Sequence, residues 1–263
     1  MSELVKTEQR GMIFEIVLNR PDKRNAISLD LYDALSQAID LATAAEGVRT
    51  VFLRGEGKVF SSGIDLTAFL LLPGKYGPRW QQKMRQITTD FQEVLNRLER
   101  LEIPTIALLH GHCLGLAMEI ALACDIRIAA EGTVLALPET KLGIIPDVGG
   151  TTRLTRLVGP ARAKELIFTG RQIDAAMAGQ WGIVNHVVAA GFLVAKGEEL
   201  AAEIESAAPL AVGMAKRVID GLADLDRGLM LEGWAQSQLM SSEDFTEAVQ
   251  ALVTKRPPDF KGR

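Results

Sequence analysis

Residues 103–130 read IPTIALLHGHCLGLAMEIALACDIRIAA, and this apolar stretch decides the fold. Thr105 to Leu109 carries a strand pattern, a turn with Gly111 and Gly115 follows, and a helix pattern then ends near Cys124. A second strand, Ile126 to Ala129, comes directly after. Glu119 stands in the middle of the helical part among Leu116, Ala117, Met118, Ile120, Ala121 and Leu122. A buried carboxylate in that company is costly unless it is paired, hydrogen-bonded or protonated. It is therefore either a structural group capped by a neighbouring donor or part of a functional site. The run is no membrane span, because roughly 18 to 20 uninterrupted apolar residues are needed and His110, His112 and two glycines break it.

Outward from this unit the chain keeps alternating. Met12 to Leu18 is apolar and β-branched and ends at the turn signal Asn19-Arg20-Pro21-Asp22. Ser28 is placed to cap a helix carrying Leu29, Leu31, Leu35, Ile39 and Ala42, which Gly47 closes. Thr50 to Leu53 is a short strand, followed by the loop Arg54 to Gly57 and the small-residue corner Ser61-Ser62-Gly63-Ile64-Asp65-Leu66. Leu70 to Arg79 holds two prolines and two glycines and reads as a mobile loop. A long amphipathic helix is expected from about Trp80 to Leu101, and Gly132 to Gly150 reads as loop-rich. Helices are expected over Ala161 to Phe168 and Asp174 to Gln180, and nearly everywhere after Phe192. This order predicts one α/β core with a helical C-terminal extension, and not two independent domains.

The 263 residues are 48% hydrophobic and 24% charged, with a net charge of −4, so nothing draws the chain generally to nucleic acid or an anionic membrane. Cys113 and Cys124 are the only cysteines, which argues against a disulfide framework and fits a reducing, cytoplasmic setting. The polar start MSELVKTEQR lacks the apolar core of a signal peptide.

Backbone donors and acids stand out as candidate chemistry. Gly63 lets the chain turn and present the amide of Ile64, while Gly115 precedes the helix whose first turn carries the amide of Leu116. Two amides converging on one carbonyl oxygen would make an oxyanion hole. Glu139 follows Pro138 in LALPETKLG and Asp147 lies in IIPDVGG, both on loops, where carboxylates are ordinarily solvated. With Glu119 they form a set suited to acid–base work. His110-Gly111-His112-Cys113 matches no zinc spacing, so no metal is expected. There is no Walker lysine pattern, no strand-led GxGxxG and no GxSxG nucleophile elbow.

Along nearly its whole length the chain resembles the enoyl-CoA hydratase/isomerase, or crotonase, family. The likeness is carried by NRPDKRNAIS (19–28), KVFSSGIDL (58–66), residues 104–130, LPETKLGIIPDVGGTTRL (137–154), ELIFTGR (165–171), AxxxGxxxxV (178–187) and the terminal KRPPDFKGR. The resemblance implies an α/β crotonase-like spiral of β-β-α repeats, with residues 1–200 as the acyl-CoA-binding core. Residues 201–263 would be a helical region for assembly as a homotrimer or a dimer of trimers. It implies an acyl-CoA thioester substrate and no cofactor beyond the coenzyme A that the substrate carries.

By matching positions, the Ile64 and Leu116 amides would hold the thioester oxygen. Leu116 stands where the family often has glycine, so a bulky side chain adjoins the acyl pocket. Arg24 and Ala26 fall in the region that contacts the nucleotide of coenzyme A. Ser62, Gly63, Asp65 and Leu66 would line the pantetheine and thioester path, with Gly115 and Pro138 also against the substrate. Glu119 and Glu139 match the two hydratase glutamates, the first acting mainly on water and the second mainly delivering the α-proton. Asp147 matches an aspartate of several family isomerases. The sequence therefore allows a 2-enoyl-CoA hydratase, an enoyl- or dienoyl-CoA isomerase using Glu139 and Asp147, or a non-catalytic acyl-CoA-binding subunit.

Overall fold

The computed structural model describes residues 4–221, 239 and 242–263. The larger sheet is built from β1 (Val5–Arg10), β2 (Ile13–Leu18), β3 (Thr50–Gly55), β4 (Thr105–Leu109), β6 (Ile126–Ala130) and β9 (His186–Val188), in the order β1-β2-β3-β4-β6-β9. A hairpin turning at Gly11 makes β1 antiparallel to β2, and every later pairing in this sheet is parallel. A smaller sheet joins β5 (His112–Leu114), β7 (Val134–Ala136) and β8 (Ile173–Asp174).

The alternation of side chains across the pleat divides the apolar residues of the large sheet between two cores. Val51, Leu53, Ala107, Leu109 and Ala129 face one core, shared with α1 (Leu29–Ala44), α3 (Met84–Glu99) and α4 (Leu116–Leu122). Phe52, Ile106, Leu108, Ile128 and Ala130 face the other, closed by Leu193 and Ala201 of α7 (Leu193–Glu205). With both faces covered, β4 is buried at every residue and reads as a continuous apolar run.

Local signals place most elements. Ser28 caps α1, its hydroxyl accepting from the Leu31 amide at 3.2 Å. Asp174 caps α6 (Ala175–Trp181) in the same way, from Met177 at 2.8 Å. Three expectations need correction. Residues 70–79 are not a loop: α2 (Ala68–Tyr76) runs through Pro73, held because Ala68 and Leu72 bury beside Leu29, Ile64 and Phe69. The helix expected over Ala161 to Phe168 begins earlier, since α5 (Gly150–Thr169) starts at Gly150 and kinks at Gly159-Pro160. Glu139 is not solvated: it is the one buried residue of a 3-10 turn over residues 139–142 whose Lys141 and Leu142 are exposed.

The polar segment of β1 forms a strand because backbone pairing to β2 satisfies it while one face stays in water. The helical extension continues through α8 (Pro209–Asp220) and α9 (Glu243–Thr254). The expected helix over residues 222–238, 240 and 241 lies outside the described residues. Among the described residues, no helix is long and apolar enough to cross a membrane.

Candidate active site

Three chain segments meet at the N-terminus of α4. The corner after β3 bridges to the segment before α1, with the Ile27 amide donating to Gly63 O at 2.8 Å and the Asp65 amide to Ile27 O at 2.9 Å. Its other side bridges to β5, where the Ser61 amide donates to His112 O at 3.0 Å. Gly63 (φ 89°) backs onto β5 so closely that a Cβ there would lie 2.4 Å from Leu114 O and 3.7 Å from the Gly115 Cα. Only glycine permits that approach, and it sets the two corner glycines side by side. Gly115 itself has φ 55° and ψ −128°, a conformation that side chains exclude, and its amide donates to Ala136 O at 2.9 Å. The next amide after each glycine, Ile64 or Leu116, donates to no acceptor among the described residues. The Leu116 side chain turns away into the main core and is 4% exposed.

The same turn gathers the acids. A Cβ on Gly115 would meet Glu139 Oε1 at 2.8 Å, so this carboxyl lies directly over the start of α4. Its Oε2 is buried and has no hydrogen-bond partner among the described residues. Glu119, one turn along α4, is buried, and its Oε1 accepts the amides of Val148 and Gly150 at 2.8 Å each. Gly150 is required here, because a Cβ would stand 2.8 Å from both Cγ and Oε1 of Glu119. Asp147 begins this turn, and its Oδ2 accepts the Thr88 hydroxyl at 2.5 Å.

Electrostatics tie the acids together. Burial pushes Glu119 up to about 8; Glu139 and Asp147 add in the same sense, against the two amides. Burial pushes Glu139 up to about 7, with Asp147 adding repulsion and its own backbone amide opposing. No cation pairs with either glutamate among the described residues. Both carboxyls are thus held well above the ordinary carboxylate range, the direction that suits acid–base work at neutral pH.

The residues expected to contact coenzyme A divide. Arg24 is exposed in a left-handed conformation (φ 52°), and its carbonyl accepts the Ser62 amide at 3.0 Å, which ties residues 24–26 to residues 62–66. Pro138 lies beside Gly115, and Leu66 is open to solvent. The Asp65 carboxylate is held by Arg20 at 2.6 Å and by the Thr67 hydroxyl and amide. The Arg20 hydrogen bond, then Thr67, pulls its pKa down to about 2.

Sequence reasoning missed the residue that knits this corner. Asn25 is fully buried, accepts the Arg20 amide at 2.8 Å and donates to the carbonyls of Glu56, Val59 and Phe60. Its position in an Arg-Asn-Ala turn before the α1 cap was the only signal available. Thr88 and Gln92 were also missed, because nothing in an amphipathic helix marks which polar positions meet a distant loop. Among the described residues, no group of three or more His, Cys, Asp or Glu side chains is gathered to hold a metal. A cavity of about 640 Å³ lies at the other end of α4, lined by Leu122, Cys124, Arg153, Leu157, Lys216 and Ile219 among others, with none of the three acids on its wall.

Comparison with known proteins agrees with this architecture. The family model for enoyl-CoA hydratase/isomerase matches residues 8–263. YngF of Bacillus subtilis (strain 168) is 41% identical over 261 residues, covering 98% of this chain and 96% of that protein. Mouse methylglutaconyl-CoA hydratase, a mitochondrial protein, is 36% identical over 266 residues, covering 98% of this chain and 82% of its own. The crystal structure of an enoyl-CoA hydratase from Bacillus anthracis superposes with a TM-score of 0.90 at 37% identity, covering 99% of this chain and 100% of that one. The chain is a crotonase-fold member of the enoyl-CoA hydratase/isomerase family.

Proposed function

We propose that this protein is a hydratase, adding water across the double bond of a 2-enoyl-CoA thioester. The observation that carries the reading is the pair of buried glutamates without a counter-ion, set beside two unengaged amides. The Ile64 and Leu116 amides would hold the thioester oxygen, whose negative charge grows as the enolate forms. Glu139 overhangs Gly115, the carbonyl end of the site, so it is the group to deliver the proton to the α-carbon. Glu119 sits one helical turn further on, where the β-carbon would lie, and the two amides on its Oε1 favour its charged form. We assign it to the attacking water. Burial favours the protonated form of both carboxyls, so one could serve as acid while the other serves as base. The chemistry needs no group beyond these side chains and amides, with coenzyme A belonging to the substrate.

The remaining contacts follow the same reading. Arg24 and Ala26 would meet the nucleotide, and Ser62, Gly63, Leu66 and Pro138 the thioester arm, while Asp65 anchors the corner through Arg20. We further propose assembly as a homotrimer or dimer of trimers through residues 201–263, as the family resemblance of the sequence implies, which light scattering on the eluted protein would test. A second reading is a double-bond isomerase that uses Glu139 and Asp147, motivated by the electrostatic contact between these two acids.

Incubation with crotonyl-CoA separates the two. Loss of the conjugated thioester absorbance with a mass gain of one water is expected. A mass-neutral conversion of a 3-enoyl or 3,5-dienoyl thioester, without hydration of crotonyl-CoA, would replace hydratase by isomerase.

A further inference from the structure

We propose that a polar stripe on α3 is the template that shapes the acid site, with Thr88 and Gln92 as positioning residues; this rests on the assignment of Glu119 above. Thr88, Gln92, Asn96 and Glu99 recur at spacings of four, four and three, so they share one face of the helix. Two of them bond the turn that holds Glu119 directly, and two act on it through an arginine. The Thr88 hydroxyl donates to Asp147 Oδ2 at 2.5 Å, and Gln92 Nε2 donates to the Asp147 carbonyl at 2.6 Å. Asn96 and Glu99 act through Arg153, whose guanidinium bonds them at 2.9 and 2.8 Å and reaches Val148 O at 3.2 Å.

The turn so held is the one whose Val148 and Gly150 amides grip Glu119 Oε1. Gly149 between them has φ 106°, a backbone conformation strained for any side chain, and a Cβ there would push the Arg153 guanidinium aside. The path is therefore continuous: α3 fixes Asp147 and Val148, these fix two amides, and the amides fix the direction and the charge of one carboxyl. Asp147 belongs to this clasp as much as to the acid cluster. With one oxygen engaged by Thr88, it aims the turn and adds negative potential at both glutamates.

Thr88→Val removes the hydroxyl at nearly constant volume, Gln92→Met removes the second donor, and Thr88→Ser keeps the hydroxyl. In crotonyl-CoA hydration, Thr88→Val is expected to lower kcat about tenfold or more with KM nearly unchanged. The pH–rate limb belonging to Glu119 should move to higher pH, because losing amide donors favours its neutral form. Thr88→Ser should restore both, and Gln92→Met should repeat the loss if Thr88→Val fails to fold. Wild-type kcat and pH profile in both Thr88→Val and Gln92→Met would overturn the proposal.

A carbon-13 titration of glutamate-labelled free protein, with the Glu119 carboxyl identified as the resonance lost in Glu119→Gln, reads the same clasp without turnover. A displaced Glu119 midpoint in Thr88→Val supports it even if crotonyl-CoA proves not to be hydrated, and an unmoved midpoint overturns it.

Discussion

Glu15 and Glu119 are equally buried, each 2% exposed, yet the molecule treats them in opposite ways. Glu15, on β2, receives two guanidinium groups: Arg10 on one oxygen and Arg54 at 3.2 Å on the other. Asp125 is served similarly, by Lys216 at 2.7 Å and by the hydroxyl and amide of Thr105. Among the described residues Glu119 receives two amides and no cation, and the charges that act on it, Glu139 and Asp147, are further acids. The two carboxylates that brace the fold are paired with cations, whereas Glu119 is paired with none among the described residues, and that contrast, more than burial, sets the proposed site apart.

The comparison can be broken most decisively at the acids. Glu119→Gln and Glu139→Gln should each lower kcat for hydration by about a thousandfold, the range of general acid–base catalysis, while binding of the acyl-CoA persists in calorimetry. Full activity in both variants would make Glu119 as structural as Glu15.

A milder perturbation tests the spacing. Gly150→Ala puts a methyl against Glu119, and a kcat reduced about a hundredfold in a folded protein is expected.

On the other side of the comparison, Glu15→Gln should leave kcat near wild type and cost about 1–2 kcal/mol of stability in urea unfolding, its arginine partners being partly solvated.

The smallest effect is in pH dependence. Glu119 holds its proton more tightly when folded than unfolded, so its contribution to stability is complete below about pH 4.5 and fades as pH rises through about 8. Thermal melts of Glu119→Gln should therefore gain on wild type by a few degrees as pH rises from about 4.5 to about 8. A constant difference would argue against the raised pKa.

How much of this was legible depended on whether a residue's signal was local. The Ser28 cap, the apolar runs of β3, β4 and β6, and the glycine before α4 all read correctly, because caps and periodicity are set within a few residues. Glu119 could be singled out because its neighbours in sequence are also its neighbours in space. Helix α2 was hidden by its own proline and glycine, and forms because Ala68 and Leu72 find partners far along the chain. Three-residue β5 was lost between two glycines, although its pairing with Ser61 positions the corner. The same holds for Thr88, Gln92 and Asn25. Each is an ordinary polar residue whose importance lies wholly in what a remote segment presents to it.

Asn25 also carries a chemical liability. Its amide nitrogen faces three carbonyl oxygens and its own oxygen faces an N–H, so every contact depends on which atom is nitrogen. Deamidation would exchange that nitrogen for an oxygen and turn three attractions into repulsions at the floor of the corner. A change of one mass unit at a residue far from the acids would thus age the protein by loosening the segment on which Gly63 rests.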